Sequence, residues 1–166
     1  KLGKKSIDFF GGQLPPFFCL DKRRLIGYYN TMQTFLPYKN FKKSLKCLDW
    51  RRLGKQRVEA FQILNVLLER TKTKGWINHP ATKMWRGYEN ALKLYFNLCV
   101  DEWKKRGYNN NMKYETINGE IVMPPWLGNR GFHKSHKSNL LRKLPSHYSK
   151  HFDGISNELP YIWPVN

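Results

Sequence analysis

Acidic residues are scarce in this sequence, with 12 Asp and Glu against 30 Lys and Arg in 166 residues, so its formal charge is +18. Long apolar runs are missing too, and none approaches the ~20 residues of a membrane-spanning helix or forms a signal-peptide core. So strong a charge of one sign predicts a polyanionic partner. We therefore expect a protein that binds nucleic acid and not a membrane.

Cysteine is also sparse, and Cys19, Cys47 and Cys99 lack the CxxC spacing of zinc or redox sites. We expect reduced thiols in a reducing intracellular compartment, whether cytoplasm, nucleus, organelle matrix or virion interior. Glycine-rich loops that cradle nucleotide phosphates are absent as well. We expect no cofactor.

Apolar periodicity predicts two long helices. Over 48–71, apolar residues follow the i, i+3, i+4, i+7 spacing of one buried face, and over 81–106 apolar and aromatic residues recur at spacings of three and four. The sequence therefore predicts a mainly α fold, with a compact helical domain and long ordered loops over 32–166.

Shorter elements are predicted around these helices. The Asn118-Gly119 pair favours a small hairpin over 112–123, and residues 132–143 predict a short basic helix that ends before Pro145. Gly-Gly and Pro-Pro in "GGQLPPFF" (11–18) resist helix formation. Residues 1–31 are therefore predicted to be an extended N-terminal arm that packs against its own body or neighbouring proteins.

Several ordered motifs in residues 32–166 resemble a known family. They are "MQTFLPY", "LDWRRLGKQRVEAFQIL", "NHPATKMWRGYE", "PPWLG", "FHKSHKSNLLRK" and "LPYIWPV". They resemble pyrimidine-dimer DNA glycosylases of the endonuclease V type. The resemblance implies a helical enzyme that bends duplex DNA and flips out a nucleotide. It also implies that a free N-terminal amine attacks sugar C1′, that an imine forms, and that β-elimination nicks the strand.

The resemblance assigns two catalytic positions. The amine would belong to Gln33 if Met32 were the start and were removed, although the family's usual nucleophile is threonine and residues 1–31 precede it here. An amide nitrogen at Gln33 has no usable lone pair, so the arm would block this chemistry. Glu59 matches the assisting carboxylate, although Val58 separates it from Arg57. A surface ion pair is the alternative role for Glu59.

Four cations occupy the first two turns of the first long helix: Arg51, Arg52, Lys55 and Arg57. Residues three and four apart share a helix face, so we expect them to contact phosphates. Lys55 is also a possible substitute amine for a Schiff base.

The short basic helix is a second predicted phosphate-binding element. It carries His133, Lys134, His136, Lys137, Arg142 and Lys143. His-x-x-His spacing could also suggest zinc, but no cysteine or carboxylate lies near it in sequence, so we expect no metal. Trp126 in "PPWLG" is a candidate for stacking on an unpaired base, with packing in the core as its alternative. His79 is expected to cap the next helix or to hydrogen-bond within its loop, in preference to a catalytic role.

Two functions remain open at this level. One is a DNA glycosylase and AP lyase acting on damaged pyrimidines in duplex DNA. The other is a catalytically inactive relative that serves as a structural subunit, bound to rRNA in a ribosome or to a packaged genome in a virion.

Overall fold

The computed structural model describes residues 32–71 and 75–165, and within these ranges it is helical and contains no strand. The predicted mainly α fold is confirmed. The arm predicted over 1–31 lies outside the described residues.

Residues Met32–Asn166 form one compact unit. No described helix is long and apolar enough to cross a membrane. The described helices are α1 Phe41–Cys47, α2 Trp50–Leu67, α3 Pro80–Trp85, α4 Glu89–Lys105, α5 Arg130–Lys143 and α6 Pro145–Tyr148.

Helix α2 is the first predicted long helix. It begins after Asp49, whose carboxylate accepts hydrogen bonds from the backbone N–H groups of Arg51 and Arg52. Such a cap satisfies donors that have no partner within the helix. Its apolar face, which includes Leu53 and Ile63, is buried against α4.

The second long helix is divided in two, so the prediction of one continuous helix over 81–106 was wrong. The break lies between α3 and α4, where Gly87 has φ +83°. This left-handed conformation is easy for glycine and interrupts a right-handed helix. The Glu89 carboxylate accepts a hydrogen bond from the Gly87 N–H at 2.8 Å and so closes the turn. His79 caps α3 through Nδ1, as predicted.

The hairpin expected over 112–123 is not formed. That segment instead lies along α4, where the Asn97 side chain donates to the Glu115 carbonyl and accepts from the Glu115 N–H, both at 2.8 Å. Asn90 Nδ2 donates to the carbonyls of Asn118 and Glu120. Side-chain amides of α4 therefore make the backbone hydrogen bonds that a partner strand would have made.

Residues 33–38 run along α5, and two histidines fix this packing. The Leu36 N–H donates to His136 Nδ1 at 3.0 Å, and the Leu36 carbonyl lies 2.7 Å from His133 Nδ1. The segment also hydrogen-bonds to Gln56 of α2, which places Gln33 beside that helix.

Candidate active site and nucleic-acid interface

Gln56 joins the start of the described chain to α2. Its Nε2 donates to the Gln33 carbonyl at 2.7 Å and to Glu59 Oε2 at 3.0 Å. Its Oε1 accepts from the Phe35 N–H at 2.7 Å and from the Tyr95 hydroxyl at 2.9 Å. Because all four contacts are made by one fully buried amide, Gln33 and Glu59 are held at fixed positions relative to each other.

Glu59 is a buried carboxyl with a neutral-range pKa. Burial raises its pKa to about 7, although Lys55, hydrogen bonding by the backbone of Gln33, and the charge of Lys143 act in the opposite direction. Lys55 Nζ lies 3.3 Å from Glu59 Oε1. A carboxyl that titrates near neutral pH can both accept and donate a proton there.

The backbone nitrogen of Gln33 therefore lies beside the carboxyl that the resemblance assigned to catalysis, although the two residues are far apart in sequence. Asn139 of α5 reaches the same place, because its Nδ2 donates to Gln33 Oε1 at 3.4 Å. Three separate segments build this site, and each supplies a polar group.

The charges of Lys55 and Lys143 act on Glu59, and Arg52 lies beside Lys143. Arg52 donates to the Lys143 carbonyl at 3.1 Å and pairs with Asp49 at 3.4 Å, so it ties the start of α2 to the end of α5. Lys143 is half-buried, and its Nζ lies 5.8 Å from the centre of the Phe35 ring. We call Arg52, Lys55, Glu59 and Lys143 the Glu59 cluster.

The other predicted cations of α2 and α5 point elsewhere. Arg57 stacks on Trp103 at 4.6 Å and donates to Asn110 at 2.5 Å. Arg51 is exposed beside Trp50. Arg142 donates to carbonyls of the C-terminal segment. Phosphate contact by these arginines stays a prediction, and the structure does not place them with Lys55 at Glu59.

A second group of cations surrounds the Tyr38 ring. Lys43 and Lys137 lie 4.4 and 4.7 Å from its centre, on neighbouring helices. Burial lowers the pKa of Lys137, and the charges of Lys43 and Lys134 lower it further. Within 32–71 and 75–165, no carboxylate forms an ion pair with these lysines. We call Lys43, Lys134 and Lys137 the lysine cluster.

The two histidines of α5 are buried and serve the fold. His133 Nε2 accepts from the Gly128 N–H at 3.0 Å, so the proton lies on Nδ1, which donates to Leu36. Burial lowers the pKa of His136 to about 3, with His133 as a second cause. Both rings are directed to the backbone, and phosphate contact by either histidine stays a prediction. The described residues contain no group of three or more metal-ligating side chains.

Trp126 is half-buried and packs edge-on against Trp85, with its indole N–H donating to the Met84 carbonyl at 3.0 Å. Its remaining surface lines an open cleft that also includes Lys83, Arg86 and Tyr88. Stacking of a base on Trp126 stays a prediction, confined to this cleft.

Gln56 is the site residue that sequence reasoning missed. It interrupts the apolar face of α2, because it lies three residues after Leu53 and four before Ala60, both fully buried. A polar side chain on a buried face must find hydrogen-bond partners, and that pattern was visible in the sequence.

A helical fold that holds a buried carboxyl of neutral-range pKa near two lysines defines a class of site suited to proton transfer. The family model described as pyrimidine dimer DNA glycosylase matches residues 32–116, and the chain belongs to this family. The resemblance found in the sequence is thereby confirmed. No curated protein and no solved structure gives a significant match. The matched segment contains Gln33, Gln56 and Glu59, whereas α5 lies beyond it.

Proposed function

We propose that this chain binds damaged duplex DNA at the Glu59 cluster and that the cluster supports glycosylase and AP-lyase chemistry when the Gln33 nitrogen is a free amine. The observation that carries this proposal is the hydrogen bonding between the Gln33 backbone and a buried carboxyl of pKa about 7.

The proposed reaction uses two groups with similar pKa values, the α-amine of Gln33 and the carboxyl of Glu59. An α-amine has a pKa of about 7.7–8.0, so an appreciable fraction of it is neutral near pH 7. This amine attacks C1′ of the damaged nucleotide, the base leaves with the C1′–N bond electrons, and the amine loses a proton. The nitrogen lone pair then breaks the C1′–O4′ bond, which opens the sugar ring to give a protonated imine and a free O4′ hydroxyl. Loss of the C2′ proton then breaks the C3′–O bond and nicks the strand. Glu59 moves the protons in these steps.

The cations of the cluster are proposed to hold the flanking phosphates. Arg52 is fixed by Asp49 and by the Lys143 carbonyl, so it offers a positioned guanidinium. Each phosphate contact releases condensed counterions, so affinity should fall steeply with salt.

A second candidate function follows from the covalent state of Gln33. In the printed sequence this nitrogen is bonded to Met32 as an amide, whose lone pair is delocalised into the carbonyl. The basic surface remains in that chain, whereas the proposed amine does not. Such a chain would be a structural RNA- or DNA-binding subunit.

The test compares chains that begin at Lys1 and at Gln33. The described core residues lie between Met32 and Phe152, so the shorter chain loses only Met32 from the described core, and a thermal melt verifies its fold. With an abasic duplex and borohydride, we expect the shorter chain to give an adduct that peptide mapping places on the Gln33 α-nitrogen. On a duplex with a pyrimidine dimer it should also break the C1′–N bond of the 5′ pyrimidine, which stays joined to its neighbour through the dimer, and nick the strand.

An otherwise folded shorter chain that binds the duplex but forms no adduct at Gln33 would contradict the catalytic proposal. Salt-dependent binding of both chains would then favour the structural subunit. Parallel titrations with duplex DNA and with RNA of equal length would identify its ligand.

A further inference from the structure

Lys143 brings a second amine to the Glu59 carboxyl. It is the last residue of α5, and its carbonyl accepts the Arg52 hydrogen bond that fixes this helix end to α2. Its side chain lies near the Phe35 ring, two residues beyond Gln33. The charge of Lys143 acts on Glu59, which is also hydrogen-bonded by the Gln33 backbone. The amine of Lys143 therefore acts electrostatically on the same carboxyl that the Gln33 backbone contacts.

Lys143 differs from Lys55, the other amine of this cluster. Lys55 pairs with Glu59 at 3.3 Å, and its side chain is 51% exposed. Lys143 is half-buried and makes no ion pair with any described carboxylate. An ammonium outside an ion pair is easier to deprotonate than one within an ion pair, because loss of its proton breaks no ion pair.

Most of the groups around Lys143 favour its neutral, unprotonated form. Burial lowers its pKa first, then the charges of Lys55 and Arg52, with Arg142 adding to the effect and Glu59 opposing it. Desolvation and cationic neighbours are the means by which proteins make lysine nucleophilic.

We propose that Lys143 Nζ is a second imine-forming nucleophile of this site, that its substrate class is the ring-opened abasic sugar in DNA, and that it acts without a free amine at Gln33. The proposal rests on the proposed function, since it uses the same cluster to hold the same strand. The abasic sugar is singled out because its C1′ aldehyde is already present and no base has to leave.

The reaction needs no oxidant or reductant. Neutral Nζ adds to the C1′ aldehyde, and the resulting carbinolamine takes up a proton from neutral Glu59 and loses water to give a protonated imine. The Glu59 carboxylate accepts the C2′ proton, the C2′–H electrons form a double bond, and the C3′–O bond breaks. The phosphate leaves as the 5′ end of the downstream strand. Water then hydrolyses the imine and frees Lys143.

The experiment uses the full 166-residue chain, an abasic duplex and borohydride. The unsubstituted protein should give a covalent adduct that maps to the peptide containing Lys143. Lys143→Arg retains the positive charge but cannot form this imine, so trapping should fall by at least about tenfold. Lys150→Arg is the matched control, because Lys150 is exposed and lies outside the cluster. Thermal melts and duplex titrations verify that both variants fold and bind.

Trapping at the unsubstituted level in Lys143→Arg would overturn the inference, as would an adduct that maps to Lys55. Duplex binding without any adduct from the unsubstituted full chain would overturn it too. The same substitution in the chain that begins at Gln33 separates the two proposals. An adduct on the Gln33 nitrogen there, with none on Lys143 of the full chain, would leave the proposed function standing and the inference refuted. The reverse pattern would support Lys143 and refute the role of Gln33.

Discussion

The Glu59 cluster and the lysine cluster both use lysines from α5, yet their surroundings differ. In the Glu59 cluster, Lys143 and Lys55 act on a buried carboxyl whose pKa is about 7. In the lysine cluster, Lys43 and Lys137 face an aromatic ring, and no described carboxylate pairs with them. Positive charge therefore lies in two different environments on this helical domain, beside a carboxyl and beside an aromatic ring.

This difference suits the two clusters to different tasks: the Glu59 cluster to a chemical reaction, and the lysine cluster to electrostatic attraction. A carboxyl that titrates near neutral pH can move protons, and amines beside it can add to a carbonyl carbon. Cations around a ring can attract phosphates but have no partner with which to exchange a proton. We therefore expect substitutions in the first cluster to change reaction rates, and substitutions in the second to change affinity and its dependence on salt.

The largest effect is expected from Glu59→Gln in the chain that begins at Gln33. Removal of the proton-transferring carboxyl should lower the single-turnover nicking rate by about 100-fold or more, with duplex affinity little changed. Glu120→Gln is the control, since Glu120 is exposed and remote from the cluster in sequence. Equal nicking by both variants would remove the distinction between the two clusters.

Gln56→Ala should be the most destabilising substitution in the Glu59 cluster region. It removes four hydrogen bonds and leaves buried partners unpaired, so the free energy of unfolding should fall by about 2–4 kcal/mol. Gln62→Ala on the exposed side of α2 should cost less than about 0.5 kcal/mol. Urea denaturation of both variants makes the comparison, and equal losses would show that the Gln56 contacts contribute nothing.

The stability of Glu59→Gln relative to the unsubstituted chain should depend on pH. Because the folded pKa of Glu59 is raised to about 7, the folded state binds more protons than the unfolded state between about pH 4.5 and 7. The stability contributed by neutral Glu59 is therefore present below pH 4.5 and lost as the pH rises through 7. Glutamine stays neutral at every pH. Raising the pH from 5 to 8 should therefore increase the free energy of unfolding of the variant, relative to that of the unsubstituted chain, by about 2 kcal/mol.

Thermal or urea unfolding of the two proteins across this pH range measures that difference. A difference that stays constant from pH 5 to pH 8 would mean that Glu59 titrates outside the range, and the acid–base role proposed for it would lose its basis.

The smallest effect is expected from Lys134→Gln combined with Lys137→Gln. Loss of two phosphate contacts should weaken duplex binding by about tenfold at moderate salt and reduce the slope of log K against log salt by about 2. The nicking rate at saturating protein should not change. A Lys105→Gln, Lys113→Gln pair removes the same charge from exposed positions. If both pairs weaken binding equally, the lysine cluster has no special role and net charge alone is responsible.

The family, the mainly α fold and the long helix α2 could be predicted from sequence, because an apolar face repeats locally and motifs keep their order. The division between α3 and α4 could not be placed in advance, since Gly87 in a left-handed conformation competes with a continuous apolar pattern. The hairpin prediction was wrong because the side chains of Asn90 and Asn97 in α4 hydrogen-bond to the backbone of this segment. The turn residues had predicted that these hydrogen bonds would form between two strands.

The sequence by itself determined the strong positive charge and predicted both Glu59 as a site residue and a nucleic-acid partner, since these depend on residue type and local spacing. Only the tertiary structure decided that the Gln33 backbone and the charge of Lys143 both act on Glu59, and that His133 and His136 turn inward to the Leu36 backbone. The physical reason is burial. Phe35 and Lys143 become neighbours because segment 33–38 must satisfy its backbone hydrogen bonds against α2 and α5 in the interior, and no local pattern records that requirement.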